Sequence, residues 1–219
     1  ELPTLEDGQV LVRTEYSGVS GGTEMLAYRG ELDPDMPRDE TIGALGGTFA
    51  YPFQYGYSCV GVVAESRGDV AVGERVFAFQ PHQEAFVAPA GDVVPLGDVD
   101  ARHATLFPLV ETAFQVTLDA GARTGETVVV YGLGAVGVLT ALLLHRSGAH
   151  VVAVDVAAWR RNVADRLGLV TAAPETLAEM LAAHGRPDRV PLVIEASGNP
   201  AALAGALGVL ADEGEALVT

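Results

Sequence analysis

The sequence predicts a fold in two parts: a small, mostly antiparallel β domain, then a doubly wound parallel α/β sheet. Three observations carry this. Short β-like runs separated by Gly, Asp and Pro recur through residues 1–108. Strands alternate with amphipathic helices through residues 109–219. A glycine-rich turn, "YGLGAVG", joins the first strand of the second part to its helix.

In the first part the runs are "QVLVRTEY", "SCVGVVAES", "ERVFAFQ", "EAFVAPA" and "DVVPL". Their spacing reads as a small antiparallel barrel or sandwich. Between the first two, "GGTEMLAYRG" predicts a short helix with Thr23 as N-cap and Gly30 as its stop. In the second part "ETVVVYG" is a buried strand. "AVGVLTALLLHRSG" carries Val136, Leu139, Leu142 and Leu143 at helical spacing and is closed by Gly148. There follow a strand "HVVAVD", a helix "WRRNVADRLG" closed by Gly168, a short strand near Leu169 and a helix "PETLAEMLAAHG". A strand "VPLVIEASG", a helix over Pro200 to Leu210 and a strand "EALVT" complete the series. Helical crossovers between successive strands require a parallel sheet covered on both faces. The sequence stops on the fifth strand of a fold that normally has six, so a C-terminally truncated sheet is expected.

Composition narrows the function classes. A net charge of −16, with arginine as the only basic residue apart from histidine, argues against nucleic acid or an anionic membrane as partner. That charge pattern fits either a GC-rich genome or a salt-adapted surface. No run approaches the ~18 apolar residues of a membrane helix, and "ELPTLEDGQV" lacks the basic start and apolar run of a secretory signal, so a cytoplasmic location is expected. The single cysteine, Cys59, permits no internal disulfide and no Cys-x-x-Cys zinc cluster.

Gly132, Gly134 and Gly137 stand in G-x-G-x-x-G spacing between a strand and a helix, and Asp155 ends the next strand. In that context the motif predicts a dinucleotide site. Gly132 allows the tight turn, Gly134 the approach of a pyrophosphate, and Gly137 the close packing of helix on strand. Leu133, Ala135 and Val136 lie between them, where the helix N-terminus presents N–H groups to an anion. Asp155 is placed to accept from the adenine ribose hydroxyls and to repel a 2′-phosphate, so NAD is expected over NADP. Asp155 as a cap of the following helix is the plainer reading, compatible with the first. Arg160 is expected at the adenosine edge and Arg161 as a solvated helix residue. Ser197 and Gly198, just past the fourth strand, are expected toward the nicotinamide half, and Glu195 as a strand-end residue bonded to backbone.

The stretches "DGQVLVRTEYSGVSGGTE", "YGYSCVGVV", "VGERVFAF" and "TGETVVVYGLGAVGVLTALLL" together resemble the medium-chain dehydrogenase/reductase superfamily, which includes zinc alcohol dehydrogenases and zinc-free quinone reductases. The resemblance implies a GroES-like domain over 1–108, a Rossmann domain over 109–219, and a homodimer. Within it the chain looks most similar to zinc-type alcohol dehydrogenase-like proteins. At the positions where zinc members carry ligands it has Ser20, Tyr57 and, ahead of the linking helix, the region of Phe107. None is a strong zinc donor, so no metal is expected. Cys59 then reads as a small buried hydrophobe.

Without a Lewis acid, a carbonyl beside the nicotinamide needs a hydrogen-bond donor or a general acid. Tyr57, at the vacated histidine position, is the first candidate; its plainer reading is to fill the space a metal would take. His82, on the Pro-bounded loop "FQPHQ", is a candidate proton shuttle or an ordinary histidine. The resemblance aligns Thr23 with a relay hydroxyl and Thr112 with a nicotinamide contact. Glu111 reads first as an acid in the first turn of a helix begun at Pro108. The expected function is zinc-independent, NAD-dependent oxidoreduction of a small-molecule alcohol/carbonyl pair. An enone or quinone reductase, an inactive dinucleotide-binding sensor, and zinc held by Glu111 and His82 stay open.

Overall fold

The computed structural model describes residues 3–219 and divides into two compact units, the first ending at Pro108 and the second beginning at Leu109. In the first unit β1 (Gln9–Ser17), α1 (Thr23–Arg29), β2 (Cys59–Ser66), β3 (Arg75–Ala78), β4 (Ala85–Pro89), β5 (Val93–Pro95) and α2 (Ala101–Ala104) follow in order. The strands form one antiparallel sheet in the order β4-β1-β2-β3-β5. Among the described residues it forms a half-barrel sheet, consistent with the GroES-like domain expected over 1–108. Side chains alternate across it. Val10, Val12, Cys59, Val63, Val76, Ala78 and Phe86 pack on one face, while Val60 and Phe77 meet Ala101 and Ala104 of α2 on the other. Gly61 is obligatory in β2, since a Cβ there would stand 2.2 Å from the Arg13 carbonyl oxygen. Register shifts at Leu11/Val12 and Thr14/Tyr16 bend the end of β1 just before Ser17.

α1 begins at Thr23 with Gly22 at the N-cap and no side-chain cap, which corrects the reading of Thr23 as the cap. Its stop is as expected: Gly30 takes the left-handed conformation at φ 68°. α2 is an addition to the elements read from the sequence; Asp100 caps it by accepting from the N–H groups of Arg102 and His103.

α3 (Phe107–Ala120) leads into the second unit, where β6 (Thr127–Tyr131), α4 (Ala135–Arg146), β7 (His150–Val154), α5 (Ala158–Arg166), β8 (Val170–Ala172), α6 (Leu177–Ala183), β9 (Val190–Glu195), α7 (Pro200–Gly208) and β10 (Leu210–Val218) alternate. All pairings are parallel, in the order β10-β9-β6-β7-β8. This is the order of the first five strands of the doubly wound dinucleotide fold. Valine-rich strands are buried on both faces because alternate residues serve two layers. Val128, Val130, Ala153 and Ile194 face α3, α4 and α5 through Val116, Ala120, Ala141, Leu144 and Ala164. Val129, Val152, Val154 and Val193 face α6 and α7 through Leu177, Leu181 and Ala206. No helix among the described residues is long and apolar enough to cross a membrane.

Candidate active site

In the second unit the sheet reverses strand order between β6 and β9, and the loops leaving those two strands touch. A Cβ on Gly132 (φ 91°) would lie 2.6 Å from the Ser197 backbone nitrogen. Ligands of open parallel sheets bind at such a switch point, outside the carboxyl ends of the strands. The three motif glycines have distinct tasks. A Cβ on Gly137 would stand 1.8 Å from the Gly132 carbonyl oxygen, so α4 packs this close only because Gly137 has none; a Cβ on Gly134 would meet nothing within 4 Å. Gly134 is the N-cap of α4 and supplies no side-chain cap. The first helical N–H groups, on Ala135, Val136 and Gly137, thus have no partner within the helix and stand beside open space next to Leu133. A pyrophosphate fits that cradle.

Asp155, 5% exposed at the end of β7, fixes the other side. Its Oδ2 accepts from the Leu133 N–H at 2.8 Å and from Arg160 Nη1 at 3.3 Å, and its Oδ1 from the Ala157 N–H at 2.7 Å. A carboxylate has about four acceptor positions. The position left is on Oδ1. The bond to Ala157 is made ahead of α5, whose N-cap is Ala157 itself. Arg160 lies with its guanidinium 5.2 Å from the centre of the exposed Trp159 ring. Arg161 is not merely solvated: its Nη1 donates to the carbonyls of Asp155 at 2.6 Å and Val156 at 3.0 Å. Buried Glu195 holds the next loop, accepting from the N–H groups of Ser197 and Gly198 and from the Ser197 hydroxyl. Glu111 and Thr112 are exposed on α3, which starts at Phe107, so Glu111 lies beyond the first turn where an acid favours a helix start.

In the first unit a second cluster is assembled from four separate segments. His82 stands between Ser17 at the end of β1, with Oγ 2.8 Å from Nδ1, and Glu24 of α1, with Oε2 2.6 Å from Nε2. Glu24 is 8% exposed, and its Oε1 accepts from the Ser20 N–H at 2.8 Å. The backbone of His82 is pinned as well: its N–H donates to the Tyr55 carbonyl at 3.1 Å, and its carbonyl accepts from Gln54 Nε2 at 3.0 Å. Its ring lies against Gly56, where a Cβ would fall 2.5 Å from Cδ2. Gly56 has φ 112°, so both its backbone and the ring beside it require glycine.

Tyr57 follows, half-buried at the end of an aromatic series in which Phe49, Phe53, Tyr55 and Tyr57 meet edge to face. Burial pushes the Tyr57 phenol above its ordinary value, hydrogen bonds with the Ser20 and Thr23 side chains act against this, and the charge of Glu24 adds to it. Tyr55, which has no such hydrogen bonds acting against its burial, is pushed up to about 12. Cys59 is fully buried with Sγ 3.3 Å from the Pro81 carbonyl oxygen, and burial raises its pKa, the state of a packing thiol.

A family model described as zinc-binding dehydrogenase matches residues 135–219. D-guloside 3-dehydrogenase of Escherichia coli is 30% identical over 181 residues, 73% of this chain and 51% of that protein. The chain spans about half the length of the curated relatives that head this comparison. Among solved structures, 2R,3R-butanediol dehydrogenase from Bacillus subtilis aligns with TM-score 0.81 at 21% identity, over 100% of this chain and 72% of its own. The quinone oxidoreductase from Thermus thermophilus, solved also with NADPH, aligns with TM-score 0.72 at 26% identity over 99% and 66%. The chain belongs to the medium-chain dehydrogenase/reductase superfamily.

Membership in this superfamily brings the question of zinc, because the matching model carries the metal in its description. The donors do not fit it. Ser20 and Tyr57 offer hydroxyls, and the Phe107 ring packs 4.8 Å from that of Phe77. Both nitrogens of His82 are engaged by Ser17 and Glu24. Among the described residues no group of three or more His, Cys, Asp or Glu side chains is placed to hold a metal ion. Glu24, Ser17 and Gly56 are the residues that sequence reasoning missed. The local sequence points the wrong way at Glu24: α1 buries this acid with Ala27 while Leu26 and Tyr28 are exposed.

Proposed function

We propose that this chain is the core of a zinc-independent oxidoreductase that prefers NAD(H) and interconverts an alcohol and a carbonyl compound. The observation that carries this reading is the half-buried phenol of Tyr57 with Ser20, Thr23 and Glu24 around it; the family resemblance, which aligns Tyr57 with a zinc-ligand histidine, supports it. The glycine cradle at the start of α4 supports nicotinamide dinucleotide binding, and the buried carboxylate of Asp155 supports preference for a free ribose 2′-hydroxyl.

The bound nicotinamide would supply or take up the hydride. The protein's own part is acid–base. Burial keeps Tyr57 protonated at neutral pH, so its O–H donates to the substrate oxygen and passes its proton there during carbonyl reduction. Alcohol oxidation runs the same transfer in reverse. A panel of alcohols and carbonyls, assayed with NAD(H) and NADP(H), tests this. Turnover with NAD(H) is expected, and Asp155→Ser is expected to shift the cofactor preference about tenfold toward NADP(H), the size of one lost charged hydrogen bond. Unchanged selectivity contradicts the assignment of Asp155.

A second reading, reduction of quinones or enones, is supported by the likeness to the Thermus thermophilus quinone oxidoreductase. It predicts activity on quinones and none on saturated alcohols.

A further inference from the structure

We propose that the aromatic row over residues 49–57 is the specificity wall of the site, selecting an uncharged, ring-bearing alcohol over open-chain and anionic ones. This rests on the reading of Tyr57 as proton donor, since it concerns what lies beside that donor. In "FAYPFQYGY" every second residue is aromatic: Phe49, Tyr51, Phe53, Tyr55 and Tyr57. The stretch lies outside the sheet, ahead of β2. Its rings touch in series, Tyr57 to Tyr55 at 6.1 Å between centroids, Tyr55 to Phe53 at 6.2 Å and Phe53 to Tyr51 at 4.6 Å. Phe49 meets both Tyr55, at 5.1 Å, and Phe53, at 5.6 Å.

Exposure grows along the row away from the donor. Phe49 is 4% exposed, Phe53, Tyr55 and Tyr57 are partly exposed, and Tyr51 is 61% exposed. Rings gathered only for packing would be covered, whereas contiguous rings left open beside polar groups mark a ligand surface. The row is also held in place. The Tyr51 hydroxyl donates to the Ala27 carbonyl of α1, and Arg38 lies 5.6 Å from the centre of the Phe53 ring while donating to the carbonyls of Gln54 at 2.7 Å and of Gly46. Gln54 Nε2 donates to the His82 carbonyl, and the His82 N–H to the Tyr55 carbonyl. Rings anchored in this way offer contact area without first losing conformational freedom.

The chemistry of the wall narrows its occupant. Aromatic faces are electronegative, so they attract ring edges and polarised C–H groups, and a flexible chain must be ordered before it gains the same contacts. A benzylic ring and the C–H face of a pyranose both present that chemistry. Charge narrows the choice further. Glu24 and Asp39 both act on the Tyr55 phenol as like charges, while the Arg38 guanidinium is engaged by two carbonyls and the Phe53 ring. A carboxylate or phosphate on the substrate would meet those two acids.

The test sets two ring alcohols against matched partners in NAD-dependent turnover. Benzyl alcohol is compared with a linear alcohol of the same carbon count and with a carboxylate-bearing benzyl alcohol; a methyl pyranoside is compared with an alditol and with a uronate. For at least one ring alcohol kcat/KM is expected to exceed that of both partners about tenfold or more, and the ring that leads identifies the source. Tyr55→Leu is expected to raise KM for that ring alcohol about tenfold while kcat, NADH affinity and the KM of the open-chain partner hold, and Tyr55→Phe, which keeps the ring, to retain the wild-type KM. Tyr51→Ala, at the exposed end, is expected to shift KM the same way by about threefold, with circular dichroism checking the fold of each variant. Equal kcat/KM for ring and open-chain alcohols, a preference for the carboxylates, or wild-type KM in both folded Tyr55→Leu and Tyr51→Ala overturns the wall and leaves Tyr57 standing. A wild type that turns over no alcohol of any shape overturns the reading of Tyr57, and the wall with it.

Discussion

In the second unit the proposed cofactor cradle is made almost wholly of backbone, held by three glycines between the end of β6 and the first turn of α4. In the first, the polar cluster is made of side chains from the end of β1, from α1, from the segment ahead of β2 and from the loop after β3. The first kind of site is written locally, because its glycines stand at fixed spacing in one short stretch, although Gly132 also meets Ser197 of the loop after β9. The second exists only after the sheet has formed. Its members carry no periodicity or spacing of their own, and each has an ordinary structural reading when taken singly.

That contrast can be broken at the catalytic end first. Tyr57→Phe is expected to lower kcat about a hundredfold while leaving NADH affinity and Tm unchanged, as steady-state kinetics beside a binding titration will show. Comparable kcat would reduce Tyr57 to a space-filling ring.

The glycines sharpen the other side. Gly137→Ala puts a methyl 1.8 Å from the Gly132 carbonyl oxygen and is expected to cost about 1–3 kcal/mol in chemical denaturation, as overpacked cores do. Gly134→Ala meets nothing within 4 Å, so stability is expected to hold while NADH affinity falls about tenfold or more. Equal effects of the two substitutions would contradict their separate roles.

The same contrast decides what is legible in the sequence. The parallel unit can be read nearly element by element, since "ETVVVYG" and "HVVAVD" are buried on both faces, although α4 buries Gly137, Thr140, Ala141 and Leu144 and leaves Val136, Leu139, Leu142 and Leu143 only partly covered. The dinucleotide motif is equally plain. Thr23 reads as a cap because Ser/Thr before a helix is usually one, whereas here Gly22 takes the cap position. Arg161 reads as solvated because its backbone partners at the end of β7 depend on where the chain turns. Glu24 leaves no signal in the sequence, since an acid on a short helix is exposed by default and its burial is offset by His82 and the Ser20 N–H.

A smaller effect probes the buried aromatics. Tyr55 is pushed up to about 12 chiefly by burial, against an ordinary value of 10.0. The unfolded chain then loses this proton first, so the stability linked to Tyr55 is whole below about pH 10 and is lost as pH rises toward 12. Absorbance titration of wild type against Tyr55→Phe checks it: the missing phenolate step is expected at the alkaline end.

The central claim is that Tyr57 and its hydrogen-bonded neighbours do the work a metal does in relatives. The most direct measurement is NAD-dependent alcohol turnover by protein stripped with a strong chelator and verified by metal analysis. The account predicts the untreated rate at less than about a tenth of an equivalent of zinc, because Ser20 and Tyr57 offer it no strong donor. Activity lost on stripping and restored by added zinc would contradict it.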